Sequence, residues 1–427
     1  MRERVEYSMH QNQTHHDTPL TNLALIAAVM FAIIAGAFAG PSQRTNAAAL
    51  TPGNLSLLVA AASASNTTGS IVEINTTTTG QSALQTIALP DTSSLDSYRM
   101  SGSATSTGYV SLSNDRTLLT FTGANSVTTG TTNVNTLNPR GVYTINAAGT
   151  VIKQTTYTGG SGNQTRSATS LDNSAWYISD QGGLYTNGST SASPSGNFRA
   201  AKSFGGTVYL SQASSTLTTI QVVIASAASG GTVTALSGLT NNASMQDFYL
   251  IQSGDNGSTY DILYVLSATS NTIGTITKYS LVSGSWTSNG TYPTTFGGFG
   301  LAAADVGVGA VLYLSTGSGA LTANSVIQVV DAAGYNAPIS VTTANNVTLY
   351  TTAAGTIIKG LDFAPVASTN APTSTATSTS TPTGTSTATS TPTSTATATT
   401  TPASTTTVDL SKYVRVGRFD LPEPTRT

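Results

Sequence analysis

A short phrase that recurs along the chain constrains its fold most strongly. In this phrase an aromatic residue lies among aliphatic residues and is followed by serine. The clear copies are Trp176-Tyr177-Ile178-Ser179, Val208-Tyr209-Leu210-Ser211, Leu263-Tyr264-Val265-Leu266-Ser267 and Leu312-Tyr313-Leu314-Ser315, and looser ones are Tyr109-Val110-Ser111-Leu112 and Leu57-Leu58-Val59-Ala60. Each copy is as long as a buried strand, so the chain is predicted to repeat one supersecondary unit.

The composition indicates that this unit is built from strands. Charged residues make up 8% of the 427 residues, far below the roughly 25% of an ordinary soluble domain. Threonine, serine, asparagine and 40 glycines take their place. Many short strands joined by tight turns are expected from such residues, so the sequence predicts an all-β fold.

The repeat favours a β-propeller. Around the phrase the sequence predicts four strands in each unit of about fifty residues, which is typical of propeller blades. The tyrosines of the clear copies are spaced by 32, 55 and 49 residues, so the loops vary while the unit persists. Six copies predict six blades, with seven as the alternative. An open solenoid or two stacked sandwiches are the competing architectures.

The two ends of the repeat region are complementary. Leu361-Asp362-Phe363-Ala364-Pro365 has the pattern of a first strand with no unit after it. The opening unit, which begins near Leu55, has no such strand before it. Pairing the N- and C-terminal strands would close the ring and leave no exposed sheet edge.

Composition divides the chain into four zones. Residues 1–49 contain an apolar run, Leu23 to Gly40, that ends in Ala37-Phe38-Ala39, and this pattern predicts a signal peptide or an uncleaved signal anchor. Residues 50–365 are the propeller region. Residues 366–407 form an uncharged tract of Thr, Ser, Ala and Pro, predicted to be a disordered linker. Residues 408–427 regain charge and are interpreted as a fragment of a following domain.

The leader predicts that the protein is secreted or lies at the cell surface. Contact with the membrane is expected only through an uncleaved leader. The net charge of −2 indicates no nucleic-acid partner. An extracellular protein or a glycan is the expected kind of partner.

The residues that most enzymes use for catalysis are missing from the exported region. The chain has no cysteine, and its three histidines, His10, His15 and His16, precede the apolar leader. Ser-His-Asp triads, histidine-ligated zinc and thiol nucleophiles are therefore excluded there. We predict no catalytic residue and no cofactor, with calcium as the one candidate ion.

Aspartates supply two candidate calcium sites. Asp255 and Asp261 flank a polar loop that could offer several oxygens, or they belong to an ordinary turn. Asp247, Asp305 and Asp362 lie on or at the end of predicted innermost strands, which line the central channel of a propeller. There they would converge and bind a cation. The alternative is that they cap turns or pair with Lys359 or Arg199.

The aromatic residues divide into two groups. The tyrosines of the recurring phrase are predicted to pack between blades, because they lie inside apolar strands. Trp286 and Tyr292 are better candidates for a surface that binds a sugar. They lie near Asn289-Gly290, which reads as a turn.

A family resemblance is carried by two parts of the chain. The tail from Asp409 to Thr427, with Tyr413-Val414-Arg415-Val416-Gly417-Arg418-Phe419, resembles the opening strand of SdiA-regulated, phytase-like β-propeller domains of bacterial surface proteins. The propeller region is similar to an uncharacterised secreted module that precedes such domains, in phrases such as Gly360-Leu361-Asp362-Phe363-Ala364-Pro365. This resemblance implies a fold and a location, and it implies that a second domain would begin where the chain stops.

Three functions are compatible with the sequence. The first is an exported, non-catalytic β-propeller that serves as a surface display or interaction module. The second is a calcium-dependent hydrolase of phytase-like or lactonase-like type, with aspartates in the channel. The third is a truncated gene product.

Overall fold

Strands account for nearly all the regular structure in this computed structural model. The structure describes residues 47–92, 95–213, 219–223 and 232–368. Within these ranges the helical segments are short 3-10 turns, at Val134–Thr136 and Thr343–Asn345, and no helix has the length and apolar character needed to cross a membrane. Nearly all of the predicted leader and linker, and the whole tail, lie outside the described residues.

The strands form antiparallel sheets that follow one another along the chain. Sheet 1 contains β1 (Leu55–Ala61), β2 (Gly69–Ile74), β3 (Gln85–Ala88) and the last strand, β24 (Thr356–Phe363), in the order β24-β1-β2-β3. Sheet 2 contains β4 (Tyr98–Arg99), β5 (Ser111–Leu112), β6 (Leu118–Asn125), β7 (Arg140–Asn146) and β8 (Val151–Tyr157). Sheet 3 contains β9 (Thr165–Ser170), β10 (Trp176–Asp180) and β11 (Gly183–Tyr185).

The second half of the chain repeats one simple order of strands. Sheet 4 contains β12 (Phe198–Phe204), β13 (Thr207–Gln212), β14 (Ile220–Val223) and β15 (Val233–Ala235). Sheet 5 contains β16 (Met245–Ile251), β17 (Ile262–Ala268), β18 (Gly274–Val282) and β19 (Ser285–Thr294). Sheet 6 contains β20 (Leu301–Asp305), β21 (Ala310–Ser315), β22 (Ser325–Asp331) and β23 (Val347–Thr351).

The innermost strands contact one another around a central channel. In the series β5, β9, β12, β16, β20 and β24, each strand contacts the next one. The last, β24, contacts β5 and so completes the ring. The fold is therefore all-β with a propeller-like arrangement. In the described residues five sheets have four or more strands and sheet 3 has three, so the predicted number of blades stays a prediction.

The last strand closes the arrangement, as the sequence predicted. β24 pairs with β1 in antiparallel register, with Leu55 opposite Phe363 and Leu57 opposite Leu361. All four of these side chains are buried. The closing pair is therefore part of the core as well as of the hydrogen-bonded ladder, and it removes two free sheet edges.

The recurring phrase occupies the second strand of its sheet in most copies. Tyr177, Tyr264 and Tyr313 are buried on β10, β17 and β21, and Tyr209 is half-buried on β13. The copy at Tyr109 is different, because it leads into β5 on the innermost position of sheet 2. That innermost position is split between β4 and β5, and the intervening segment leaves the sheet.

Buried ion pairs join neighbouring sheets. Arg140 Nη1 lies 2.6 Å from Asp180 Oδ2, Lys202 Nζ lies 3.1 Å from Asp247 Oδ2, and Lys278 Nζ lies 2.9 Å from Asp331 Oδ2. The hydroxyls of Tyr157 and Tyr264 also donate to Asp180 and Asp331, each at 2.8 Å. A buried pair is tolerated when its remaining hydrogen-bonding capacity is filled, and these aspartates meet that condition.

Candidate ligand cavity in the central channel

A cavity of about 450 Å³ opens where the innermost strands end. We call this side the carboxyl end of the channel. Its lining includes the last residues of β5, β12, β16, β20 and β24, so five sheets contribute to one site. A concave site where several rigid strands end is the usual place for a ligand pocket.

The floor of the cavity is a buried ion pair. Lys202 and Asp247 are 1% and 2% exposed. Lys202 Nζ also donates to the carbonyl of Leu301 at 2.8 Å, and Asp247 Oδ2 accepts from the N–H of Leu301 at 2.8 Å. The face of the Tyr249 ring, 5.0 Å away, gives the ammonium a further favourable contact. Burial raises the pKa of Asp247 to about 6, although the Lys202 ammonium opposes this shift.

A second carboxylate, Asp362, is held in place by neutral donors. Its Oδ1 accepts from the Tyr249 hydroxyl at 3.1 Å and from the N–H of Phe363 at 2.8 Å. Its Oδ2 accepts from the N–H of Leu112 at 3.3 Å. Burial raises the pKa of Asp362, and the nearby Lys202 ammonium opposes the rise. The carboxylate therefore accepts two hydrogen bonds on Oδ1 and one on Oδ2 from its own fold.

Aromatic rings form one wall of the cavity. The Phe204 ring lies 5.1 Å from the Tyr249 ring and 5.4 Å from the Tyr260 ring, and Tyr249 lies 6.4 Å from Phe363. Tyr260 is half-buried, whereas Phe204, Tyr249 and Phe363 are buried. Tyr260 is therefore the aromatic side chain that a ligand can reach most easily.

The rim carries one charge of each sign. Arg116 is exposed, and its guanidinium lies 5.8 Å from the centre of the Phe363 ring. Asp305 is also exposed, and its Oδ2 accepts from the N–H of Gly307 at 3.2 Å. With Lys202 and Asp362 below them, the cavity offers two positive and two negative groups. Neither sign of charge dominates.

The aspartates predicted for the channel do approach it. Asp362 and Asp305 line the cavity, and Asp247 lies beneath it against Lys202. The predicted alternative partners, Lys359 and Arg199, are not the ones that Asp247 uses. In the described ranges no group of three or more His, Cys, Asp or Glu side chains could hold a metal ion. Cation binding by these aspartates stays a prediction.

The other predicted calcium loop lies at the edge of sheet 5. Asp261 is fully buried and accepts from Ser253 N, Ser253 Oγ and Asn256 Nδ2 at 2.8, 2.6 and 2.9 Å. Asp255 is exposed, and its N–H donates to Ser253 Oγ at 3.1 Å. Asp261 has the contacts of a residue that holds a turn together. Calcium binding by Asp255 and Asp261 stays a prediction that no contact supports.

The predicted sugar-binding aromatics do not form an exposed pair. Trp286 is 5% exposed, because it packs into the main core. The Tyr292 hydroxyl accepts from Asn346 Nδ2 at 2.7 Å. The expected turn at Asn289-Gly290 is also wrong, since both residues lie within β19.

A groove between sheets 4 and 5 adjoins the cavity. It measures about 320 Å³, is lined by Tyr209 and Trp286 among others, and shares Phe204 and Tyr260 with the cavity. Tyr260 therefore borders both spaces. Sequence reasoning missed Tyr260, Lys202 and Arg116. The available signal was the pair of cations Arg199 and Lys202 around Ala200 and Ala201, in a chain with few charges.

No protein-family model matches the chain, and no curated protein matches it either. Among solved structures, a protein of unknown function from Bacteroides caccae is similar at 12% identity and a TM-score of 0.38, covering 74% of this chain and 99% of that one. A "putative 6-phosphogluconolactonase" from Bacteroides fragilis is similar at 12% identity and a TM-score of 0.38, covering 76% and 99%. Another protein described in the same words, from Bacteroides uniformis, is similar at 12% identity and a TM-score of 0.36, covering 72% of this chain and 99% of that one. Such distant likenesses assign neither a family nor an activity.

Proposed function

We propose that this chain is an exported, non-catalytic β-propeller that binds a neutral polyhydroxylated ligand, such as part of a glycan, in its central cavity. We further propose that it has six blades, with the three-stranded sheet 3 counted as one. Export is supported by the apolar leader and its A-x-A site. Binding without catalysis is supported by the ion pair and the hydrogen bonds that already engage the buried charged side chains.

The observation that carries this proposal is that the buried charged groups of the cavity are already engaged. Lys202 is held by Asp247 and a carbonyl, and Asp362 accepts three hydrogen bonds. A general base or nucleophile needs a free lone pair within reach of the substrate. These groups instead fix the shape of the cavity floor.

The balance of charge favours a neutral ligand. An anion would face Asp305 and Asp362, and a cation would face Arg116 and Lys202. A ligand with hydroxyl groups can donate to the carboxylate of Asp305 and accept from the guanidinium of Arg116, while its apolar face packs on the half-buried Tyr260 ring.

Calorimetry with a panel of neutral oligosaccharides of glucose, galactose, mannose and N-acetylglucosamine tests this proposal. We expect saturable binding to at least one of them, and a loss of roughly tenfold or more in affinity for Tyr260→Ala. Tyr350→Ala, on the outer strand β23, is the matched control and should bind as the wild type does. The proposal fails if no oligosaccharide binds, or if Tyr350→Ala and Tyr260→Ala lose affinity equally.

The alternative is a calcium-dependent hydrolase of phytase-like or lactonase-like type. It is supported by two carboxylates, Asp305 and Asp362, at one cavity. This alternative requires that calcium stabilise the protein and that a lactone or phosphate ester be consumed. We expect neither heat from calcium nor turnover of gluconolactone or phytate, and either result would favour the hydrolase.

A further inference from the structure

The opposite side of the channel, where the innermost strands begin, carries two arginines without carboxylate partners. We call this side the amino end. Arg166 and Arg199 are the second residues of the adjacent strands β9 and β12. In the described part of the chain, the salt bridges are Arg140–Asp180, Lys202–Asp247 and Lys278–Asp331, and neither Arg166 nor Arg199 takes part in one.

Both guanidinium groups use only one nitrogen in the hydrogen bonds seen here. Arg166 Nη1 donates to Asn197 Oδ1 at 2.5 Å and to the carbonyl of Phe198 at 3.1 Å. Arg199 Nη1 donates to the carbonyl of Met245 and to Gln246 Oε1, the latter at 3.2 Å. Within the described residues the Nε atoms of both arginines are buried and have no acceptor.

An unsatisfied Nε is informative because of the shape of the guanidinium group. Nε and the neighbouring Nη form the edge that binds an oxyanion through two parallel hydrogen bonds. A buried donor without an acceptor costs about 1–3 kcal/mol. Arg166 is only 3% exposed, so bulk water is a poor substitute for that acceptor.

The positive charges at this end of the channel favour an anionic ligand. Burial lowers the pKa of Arg166 to about 10, and the like charge of Arg199 adds to the shift, whereas Tyr109 and the Asp180 carboxylate oppose it. Both arginines also act on the Tyr109 hydroxyl, favouring its ionised form, while burial dominates and raises its pKa to about 12. This hydroxyl donates to Gln246 Oε1 at 3.5 Å, which brings Tyr109, Arg199 and Gln246 together.

A third basic residue, Lys359, lies on the closing strand β24 at the same end of the channel. Its buried Nζ donates to the carbonyls of Gly102, Ala104 and Gly319, and no carboxylate pairs with it among the described residues. Lys359 is satisfied by these carbonyls and is not part of the site. Because burial lowers its pKa to about 7, its charge adds to the positive potential that an anion would meet chiefly below that pH.

We propose that Arg166 and Arg199 form a binding site for a small oxyanion at the amino end of the channel. The ligand class is a sulfate, a phosphate or a carboxylate group. Such an anion would accept from the two free Nε edges and would reduce the repulsion between the guanidinium groups. The site is separate from the cavity at the carboxyl end and holds whether or not that cavity binds a glycan.

Calorimetry of the full chain with inorganic phosphate and with sulfate, at constant ionic strength set by sodium chloride, tests this proposal. We expect one saturable site in the wild type. Arg199→Gln should weaken it roughly tenfold or more, the loss expected for a charge-assisted hydrogen bond. Arg199→Lys should recover only part of the affinity, because an ammonium keeps the charge without the planar fork. Lys153→Gln removes a cation on the outer strand β8 of sheet 2 and should bind as the wild type does.

The outcomes separate an oxyanion site from other causes. Selenate in place of sulfate should give an anomalous peak between Arg166 and Arg199 in crystals of the wild type, a readout that does not depend on any variant folding. Absence of heat and of that peak would overturn the proposal. A stabilisation by sulfate that grows linearly and equally in all variants would be an excluded-solute effect and would also overturn it. Binding of chloride alone would contradict the oxyanion assignment.

Discussion

The two ends of the central channel share strands, but the side chains at each end differ in their balance of charge. At the carboxyl end, positive and negative side chains are balanced, and they surround an open cavity of about 450 Å³. At the amino end, Arg166, Arg199 and Lys359 have no carboxylate partner among the described residues, and Tyr109 stacks on Phe299 with the ring centres 4.7 Å apart. One end is neutral and open, and the other is cationic and packed.

The difference shows how a propeller with few charges can still carry distinct sites. An innermost strand can contribute one side chain to each end of the channel, so the two ends can differ. β12 is an example, because Arg199 lies at its amino end and Lys202 lies three residues further on, at the floor of the cavity. One strand thus places one cation without a carboxylate partner and one paired cation.

The largest expected effect comes from breaking the balance at the carboxyl end. Asp247→Ala would leave Lys202 buried without its partner and the N–H of Leu301 without an acceptor. We expect the free energy of unfolding to fall by about 3–5 kcal/mol, measured by denaturant unfolding. Asp305→Ala, at the exposed rim of the same cavity, should change it by less than about 0.5 kcal/mol. Equal losses in the two variants would show that the Lys202–Asp247 pair is not a supporting element.

A smaller effect is expected from disturbing the packing at the amino end. Gly108 has φ +85°, and a Cβ atom there would lie 2.6 Å from Lys359 Cβ. We expect Gly108→Ala to lower the free energy of unfolding by about 2–4 kcal/mol, from left-handed backbone strain and overpacking together. Gly80→Ala is the matched control, because Gly80 has φ +59° and open space around it. A loss no larger than that of the control would contradict a packed amino end.

The pH dependence of stability should have opposite slopes for two buried groups. The pKa of Asp247 is raised to about 6, so the folded state binds more protons than the unfolded chain between about pH 4 and 6, and the stability falls as the pH rises. Burial lowers the pKa of Lys359 to about 7. The unfolded chain therefore binds more protons between about pH 7 and 10, and the stability rises with pH.

Denaturant unfolding of the wild type, Asp247→Asn and Lys359→Met across this pH range measures both slopes. Each slope is the difference between the wild type and one variant. We expect each difference to change by at most about 1.4 kcal/mol per pH unit. A wild-type curve parallel to that of Asp247→Asn below pH 6, or to that of Lys359→Met above pH 7, would contradict the corresponding shift.

The smallest effect is expected at the rim of the cavity. Arg116→Gln removes the guanidinium that lies over Phe363, and we expect a loss of about 0.5–1 kcal/mol in the free energy of unfolding. Arg116→Lys keeps the charge and should lose less. A loss of several kcal/mol would mean that Arg116 supports the fold, and the rim would then be structural rather than available to a ligand.

The architecture could be predicted from the sequence to a large extent. A repeated aromatic phrase, scarce charge and complementary termini were sufficient to predict an all-β propeller-like fold and the pairing of β24 with β1. The copy at Tyr109 was misleading because local hydrophobicity is the same for an innermost strand and for a second strand. Only pairing distinguishes them, and pairing depends on residues far along the chain.

The sites were harder to predict, for a physical reason. Asp362 lines the cavity and Asp247 pairs with Lys202, while cation binding by either stays a prediction. Their side-chain partners come from other sheets, and Lys202 is 45 residues from Asp247 in the sequence. Trp286 was expected at the surface because it lies near Asn289-Gly290, which was predicted to be a turn, yet it is buried in the main core. Among the described residues neither Arg166 nor Arg199 has a carboxylate partner, and this depends on what is near them in space, which no local pattern contains.

The closing strand has a consequence for the order in which the molecule can assemble. β24 supplies Lys359 to one end of the channel and Asp362 to the other, and its partner β1 lies about 300 residues earlier in the chain. Pairings over such sequence distances form slowly, because a long loop must be closed first. Neither end can be completed before residues 356–363 leave the ribosome. Both sites are therefore finished in one late step, and a chain that fails to close its ring should have neither.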